Sequence, residues 1–371
     1  MNITFQPFTE EYISLVQAFN RRMLAGGLDP LLAFPENPEL DYPKRPGAAI
    51  WQQAFLALDE GQVRGAYYFT NERYAVNGSV SWIAHYRHPI SEVLINKAYR
   101  GLGSVLLQDA KTRQPDLFCS GYGGIGSPVS RMLRADGWSE VSTPFWFQVI
   151  RPAVFLRNIA ALRTSPARRV ALDLAAVSGL GALAIRSIHG IKGLRSQRAN
   201  VSSEVVAEFG PWADELWEAN LRQHMLAFVR DSAGLNLHYP PDNSRFQRIA
   251  VVSGSRRVGW AVTLDKQMSG NSYFGDMRVG TIVDCLAAPG YEGTVVRMAT
   301  ERLREAGVDI VVSNQSAASW CDAFSRAGFL SGPSNYPLAV SPALAQKLDP
   351  FAANRPRYHI VRGDGAGASR L

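Results

Sequence analysis

A chain of 371 residues, 46% of them hydrophobic, can bury a substantial core, and its length suggests about two domains. Three isolated cysteines, Cys119, Cys285 and Cys321, exclude a disulfide framework, and no C-x-x-C or H-E-x-x-H spacing marks a zinc site. The net charge of +7 is local: residues 151–200 hold nine basic side chains against the single acid Asp173, so the remainder is close to neutral. Reduced thiols, a start (Met1-Asn2-Ile3-Thr4-Phe5) without a basic and apolar leader, and no apolar run of bilayer length lead us to expect a cytoplasmic protein.

Along the chain, residues 3–5 read as a strand. Thr9 is placed as an N-cap, with Glu11 in the first turn and Ile13, Val16, Phe19 and Met23 at helical spacing. Strands follow at 54–58, 63–69 and 79–86, joined by turns at 59–61 and at Asn77-Gly78. An extended run at 92–96 leads into Arg100-Gly101-Leu102-Gly103-Ser104 and a helix over 103–113. A strand at 117–120, a helix at 128–135 and a strand at 144–150 complete the first half. In the second half, 212–228 is helical and strands fall at 249–252, 258–263 and 281–286. A helix over 294–306 places Val295, Ala299 and Leu303 on one face. The nearly all-apolar 308–313 fits a strand covered on both faces, and a helix over 319–326 ends at Gly328.

The halves repeat. Gly103 and Gly293, Gly137 and Gly328, and Pro152 and Pro342 are spaced 190 or 191 residues apart, in one order. We therefore expect two α+β units, each a mixed, mostly antiparallel sheet flanked by helices. They span 1–150 and 201–347, with a basic amphipathic linker at 151–200 and a C-terminal tail at 348–371, flexible over 363–369.

Residues 100–104 carry the strongest chemical signal. Two glycines at the entry to a helix let a ligand approach the main chain, and the free N–H groups of a first helical turn attract phosphate. Arg100 adds a cation. The stretch lacks both the G-x-G-x-x-G and the Gly-Lys-Ser/Thr patterns, and it also reads as an ordinary glycine-containing turn.

The order of elements resembles the GNAT acyltransferase superfamily. Its motif Arg/Gln-x-x-Gly-x-Gly/Ala is met by Arg100-x-x-Gly103-x-Val105 except at the last position. More closely, Tyr99-Arg100-Gly101-Leu102-Gly103, Pro144-Phe145-Trp146-Phe147, Asn314-Gln315-Ser316, Gly332-Pro333-Ser334-Asn335 and Arg362-Gly363-Asp364-Gly365 look like tandem GNAT-like proteins of bacterial polysaccharide and cell-envelope gene sets. The resemblance implies acetyl-CoA or another acyl-CoA as co-substrate, no metal, and a pyrophosphate site at Arg100, Gly101, Leu102, Gly103 and Ser104. It implies N-acyl transfer to an amine, such as an amino sugar or envelope precursor. In the second copy the matching stretch, residues 289–294, has no arginine, and Glu292 opposes phosphate.

The superfamily's tyrosine acid is matched by Leu133 and Phe324, which donate no proton. Water, Tyr122 or Tyr336 remains as donor, or no catalysis at all. Asp284 closes an apolar strand, where it either accepts the amine proton through water, or caps a turn or pairs with Arg297; its copy-one counterpart by the 190-residue offset is Leu94. Asn314, Gln315 and Ser316 follow a buried strand at its carboxyl end, where such sheets open their sites. They suit a hydroxylated ligand, with Asn314 and Ser316 on the catalytic side, or they cap a turn. Asn335 and Tyr336 line the same opening or form a plain turn. Cys285 reads as a nucleophile or as an inert buried thiol.

His85 and His88 point to opposite faces of a strand and make no metal pair. Residues 151–200 read as two amphipathic helices packed on the domains or as a docking element for anionic lipid headgroups. No nucleic-acid motif is present. Two other functions fit the same residues: an aminoacyl transferase like the FemAB group, and a catalytically silent pair of binding or scaffolding domains.

Overall fold

The turn Asn77-Gly78 is a two-residue hairpin with both residues at positive φ, 51° and 79°, the twist that joins antiparallel strands without splaying them. It links β3 (Gln62–Val76) to β4 (Ser79–Ser91). The computed structural model describes residues 2–178, 181, 183 and 200–364, in two units, Met1–Val141 with Pro337–Asn354, and Ser142–Tyr336 with Arg355–Leu371.

The first unit continues the hairpin with β1 (Thr4–Pro7), α1 (Ile13–Ala25), β2 (Ile50–Asp59), α2 (Leu102–Arg113), β5 (Leu117–Ser120), α3 (Pro128–Ala135) and β6 (Ser139–Ser142). The second half supplies β7 (Phe145–Val149), α4 (Pro152–Asn158), α5 (Pro166–Val177), β8 (Val201–Val205), α6 (Pro211–Asn220), β9 (Leu226–Phe228) and α7 (Ser232–His238). It continues with β10 (Gln247–Ser253), β11 (Arg256–Gln267), β12 (Arg278–Ala287), α8 (Glu292–Glu305), β13 (Ile310–Asn314), α9 (Ala318–Arg326) and β14 (Leu330–Gly332). β15 (Pro337–Val340), α10 (Pro342–Lys347) and β16 (Tyr358–His359) end the chain.

The fold is α+β, with a mixed sheet in each unit. The first sheet runs β1-β2-β3-β4-β5-β15-β6 and the second β14-β7-β13-β12-β11-β10-β8. Along these paths each has a single parallel step, β4 with β5 and β12 with β13. In the first unit α1 covers one face through Val16, Phe19 and Met23, while Leu102, Leu106 and Leu133 cover the other. In the second, Val295, Ala299 and Leu303 of α8 and Trp320 of α9 cover one face. Phe155, Leu156 and Ala176 of α4 and α5 cover the other.

The structure departs from the sequence reading in four places. β7, placed by sequence in the first domain, hydrogen-bonds between β13 and β14, and β15 lies between β5 and β6, so each half lends a strand to the other's sheet. Periodicity marks a strand but not its partner. The helix expected over 212–228 ends at Asn220 and a short strand follows. The extended run expected at 92–96 is a 3-10 turn at Glu92–Leu94, because the buried Glu92 carboxylate is drawn inward by Arg22 (2.7 Å) and Arg64 (2.8 Å). Within the tail, residues 348–364 are structured, with Tyr358, His359, Val361 and Asp364 buried. Arg186, Lys192, Arg195 and Arg198 of the basic segment, and residues 365–371, lie outside the described residues.

Candidate functional site

In the first unit the ladder between β4 and β5 holds two residue pairs, Ala84 with Leu117 and His85 with Phe118. The strands then part. The Cys119 thiol donates to the Tyr86 carbonyl (3.4 Å) at the apex of the gap, and the far edge of β5 is taken by β15. A bulge falls just above: Tyr68 pairs with Arg87 but Ala66 with Ile90, and His88 has φ +50°. A bulge bends its strand and frees main-chain groups. Here Pro89 removes one donor as well.

The chain then enters α2 through Gly101, whose φ of +93° suits glycine. The Gly101 carbonyl accepts from the Ser104 and Val105 amides (3.0 and 3.2 Å). The Leu102 and Gly103 amides belong to the first turn and have no acceptor within the helix. Leu102 is anchored in the core, so its contribution is its N–H, while Arg100, Gly101 and Ser104 are exposed. A methyl group at Gly101 would meet nothing within 4 Å, and one at Gly103 only the Met132 sulfur at 3.6 Å. Open space thus lies over Gly101, and Met132 borders Gly103. Among the described residues, no ion pair engages Arg100.

A second glycine-rich element at the same end of this sheet escaped the sequence reading. Gly121, Gly123, Gly124 and Gly126, all at positive φ, form the loop from β5 to α3. Four glycines in six residues were the available signal. Tyr122 lies in this loop and donates to Glu140 (2.7 Å), which also takes Ser130 (3.0 Å) and Arg134 (3.0 Å). Burial first, then Glu140, pushes the Tyr122 hydroxyl well above the usual tyrosine range, making it a poor acid.

The second unit repeats the parting. The ladder of β12 and β13 ends at Thr281 with Val312, Ser313 donates to the Ile282 carbonyl (2.8 Å), and Val283 is the bulged residue. Counted from the last paired residue, Asp284 corresponds to His88. Leu94 is not its counterpart, because it lies on the exposed turn after β4. Here the space past the ladder is filled by the C-terminal segment. Val361 bridges to Gln315, and the Ser316 hydroxyl donates to the Tyr358 carbonyl (2.5 Å) and accepts from the Ile360 amide (2.8 Å). Tyr336 donates to the Asp364 carbonyl (2.7 Å).

Asp284, Gln315, Ser316 and Tyr336 are thus brought together, but in a closed interior. Asn314 is also buried, its amide 3.4 Å from the Pro144 carbonyl, and Asn335 alone of this set is exposed. Asp284 does not pair with Arg297, which binds Glu301 (3.2 Å). It binds the fully buried Arg230 (2.9 Å), which also holds Asp364 (2.9 Å), and it accepts from Tyr239 (3.2 Å). Two carboxylates share one guanidinium, so burial raises the pKa of each against the pull of Arg230. Beside them His224 is depressed to about 4, by burial and then by Arg230. Burial first, then Arg230 and His224, holds His359 well below the usual histidine range, and neither of its ring nitrogens has a partner among the described residues. Burial also holds the Cys285 thiol high, which suits an inert thiol rather than a nucleophile.

The entry to α8 differs from that to α2. Its N-cap is Tyr291, and Glu292 stands in the first turn. The groove of about 410 Å³ between α8 and α9 sets Arg297, Arg304 and Arg326 against Glu292, Glu301 and Asp322. It has no net cationic character. Among the described residues no cluster of His, Cys, Asp and Glu is arranged to hold a metal ion, and no helix is long and apolar enough to cross a membrane.

No protein-family model matches the chain, and no curated protein matches it by sequence. Its fold is similar to that of a GCN5-related N-acetyltransferase from Anabaena variabilis, at 10% identity and a TM-score of 0.54, over 91% of this chain and 72% of that one. It is likewise similar to a conserved protein of unknown function from Enterococcus faecalis, a probable N-acyltransferase, at 10% identity and a TM-score of 0.53, over 94% and 74%. At this identity the likeness is one of fold.

Proposed function

We propose that the chain is an N-acyltransferase that holds one acyl-CoA in its first half. The observation that carries this reading is an asymmetry between two copies of one opening. In the first half β4 and β5 part beside amides and an arginine that have no partner among the described residues. In the second, residues 358–364 occupy the corresponding space. The fold likeness to N-acyltransferases supports the same reading.

In this account Arg100 and the amides of Leu102 and Gly103 take the pyrophosphate. The edge of β4 beyond His85 offers main-chain partners to the pantetheine arm. The acceptor's amine lone pair attacks the thioester carbonyl carbon, the carbon–sulfur bond breaks, and the sulfur leaves as a thiolate that takes a proton. Main-chain donors near the bulge stabilise the oxyanion. Leu133 supplies no proton and Tyr122 is committed to Glu140, so water protonates the thiolate. The acceptor class, an amino sugar or other envelope amine, rests on the sequence resemblance. Asp284, Asn314, Gln315, Ser316 and Tyr336 act as the sealed interior of the second half.

Thermal melts test this reading. Acetyl-CoA should raise the melting temperature with concentration by mass action on the folded state, and Arg100→Glu should cancel the rise. No shift with acetyl-CoA or a longer acyl-CoA would sink it.

A further inference from the structure

Helix α5 presents its apolar side outward. Val170, Leu174 and Val177 recur at i, i+4 and i+7 and are 59%, 66% and 72% exposed. At helical spacing they form one stripe with Ala167 and Ala171, both exposed. The opposite side, with Leu172, Ala175 and Ala176, packs beside α4. Exposed Arg168 and Arg169 stand near the N-terminal end of the helix, outside the stripe, where Arg168 donates to the Thr164 hydroxyl (3.1 Å) and Arg169 to the Arg163 carbonyl (3.1 Å). Asp173, the one acid between 151 and 200, is neutralised by two hydrogen bonds from Arg163 (2.7 and 3.0 Å).

We propose that α5 is a docking face for an anionic lipid bilayer, lying in the headgroup plane. An apolar arc on a helix whose unneutralised charges are arginines is the pattern that buries carbon at the acyl boundary while guanidinium groups reach phosphates. Charge selects this occupant. Residues 151–200 hold nine basic side chains against one acid, so the segment that carries the stripe is cationic as a whole.

Flotation of the full chain with phosphatidylcholine vesicles, with and without phosphatidylglycerol, tests the proposal. The protein should float with the anionic vesicles, about tenfold less without them, and lose binding in high salt. Val170→Glu with Leu174→Glu should abolish flotation while leaving the circular dichroism and melting temperature unchanged, because both side chains already face solvent. Absence of flotation, or flotation that survives the double substitution, overturns the proposal. So does a wild-type dimer that the double variant dissolves without any vesicle binding, which would assign the stripe to a second copy of the chain.

Discussion

Cys119 and Ser313 occupy the same position in the two halves. Each is the first residue past a parallel ladder, and each donates its side-chain hydrogen across the gap, to the Tyr86 and Ile282 carbonyls at 3.4 and 2.8 Å. The duplication therefore reaches to individual hydrogen bonds. Ser313→Ala leaves the Ile282 carbonyl short of a donor in a buried setting and should cost about 1–2 kcal/mol in denaturant unfolding. Cys119→Ser keeps a donor and should cost less. Equal losses would contradict the pairing.

Arg230 holds two buried carboxylates, so its removal leaves both uncompensated. Arg230→Met should destabilise the protein by about 3–5 kcal/mol. Asp364→Asn leaves one carboxylate per guanidinium and should cost far less. Because burial raises the Asp364 pKa, its contribution to stability is full below the unfolded value and is lost as pH rises through the folded value. The melting temperature of Asp364→Asn relative to wild type should therefore climb with pH. A difference that falls with pH would contradict the sharing of Arg230.

Two of the buried histidines, His224 and His359, act with the opposite sign. Their folded pKa values are depressed, so they stay neutral in the fold while the unfolded chain takes up protons near 6.5. Stability is present above that value and lost as pH falls. For His224, depressed to about 4, the loss at pH 5 is roughly 2 kcal/mol. His359→Phe keeps the ring beside Trp320 and removes two unpaired nitrogens. Its melting temperature should match or exceed wild type at pH 7.5 and gain further at pH 5.

Tyr122 separates two views of the leaving-group proton. With its hydroxyl committed to Glu140, Tyr122→Phe should cost about 1 kcal/mol of stability and keep kcat within about threefold. A fall of about a hundredfold in kcat would make Tyr122 the acid.

Much of the fold was legible because its signals are local. Asn77-Gly78, the Val295, Ala299 and Leu303 face, and the apolar run into β13 each declare themselves within a few residues. The partners of β7 and β15 were not legible, since strand exchange depends on pairings between residues as far apart as Val149 and Ile310, or Phe118 and Val340. The candidate site divides along the same line. Residues 100–104 showed their glycines in sequence, and Gly121 to Gly126 showed theirs without being read. Asp284 and Gln315 were singled out as site residues on separate grounds, and the structure seals both in one interior. Arg230, Asp364 and the closing segment came from elsewhere in the chain, and no spacing announces them.

Titration calorimetry of the full chain with acetyl-CoA, run on wild type, Arg100→Glu and Glu292→Arg, tests the account most directly. One site per chain is predicted, lost in Arg100→Glu and unchanged in Glu292→Arg. Two sites, no site, or one site that survives Arg100→Glu would contradict it.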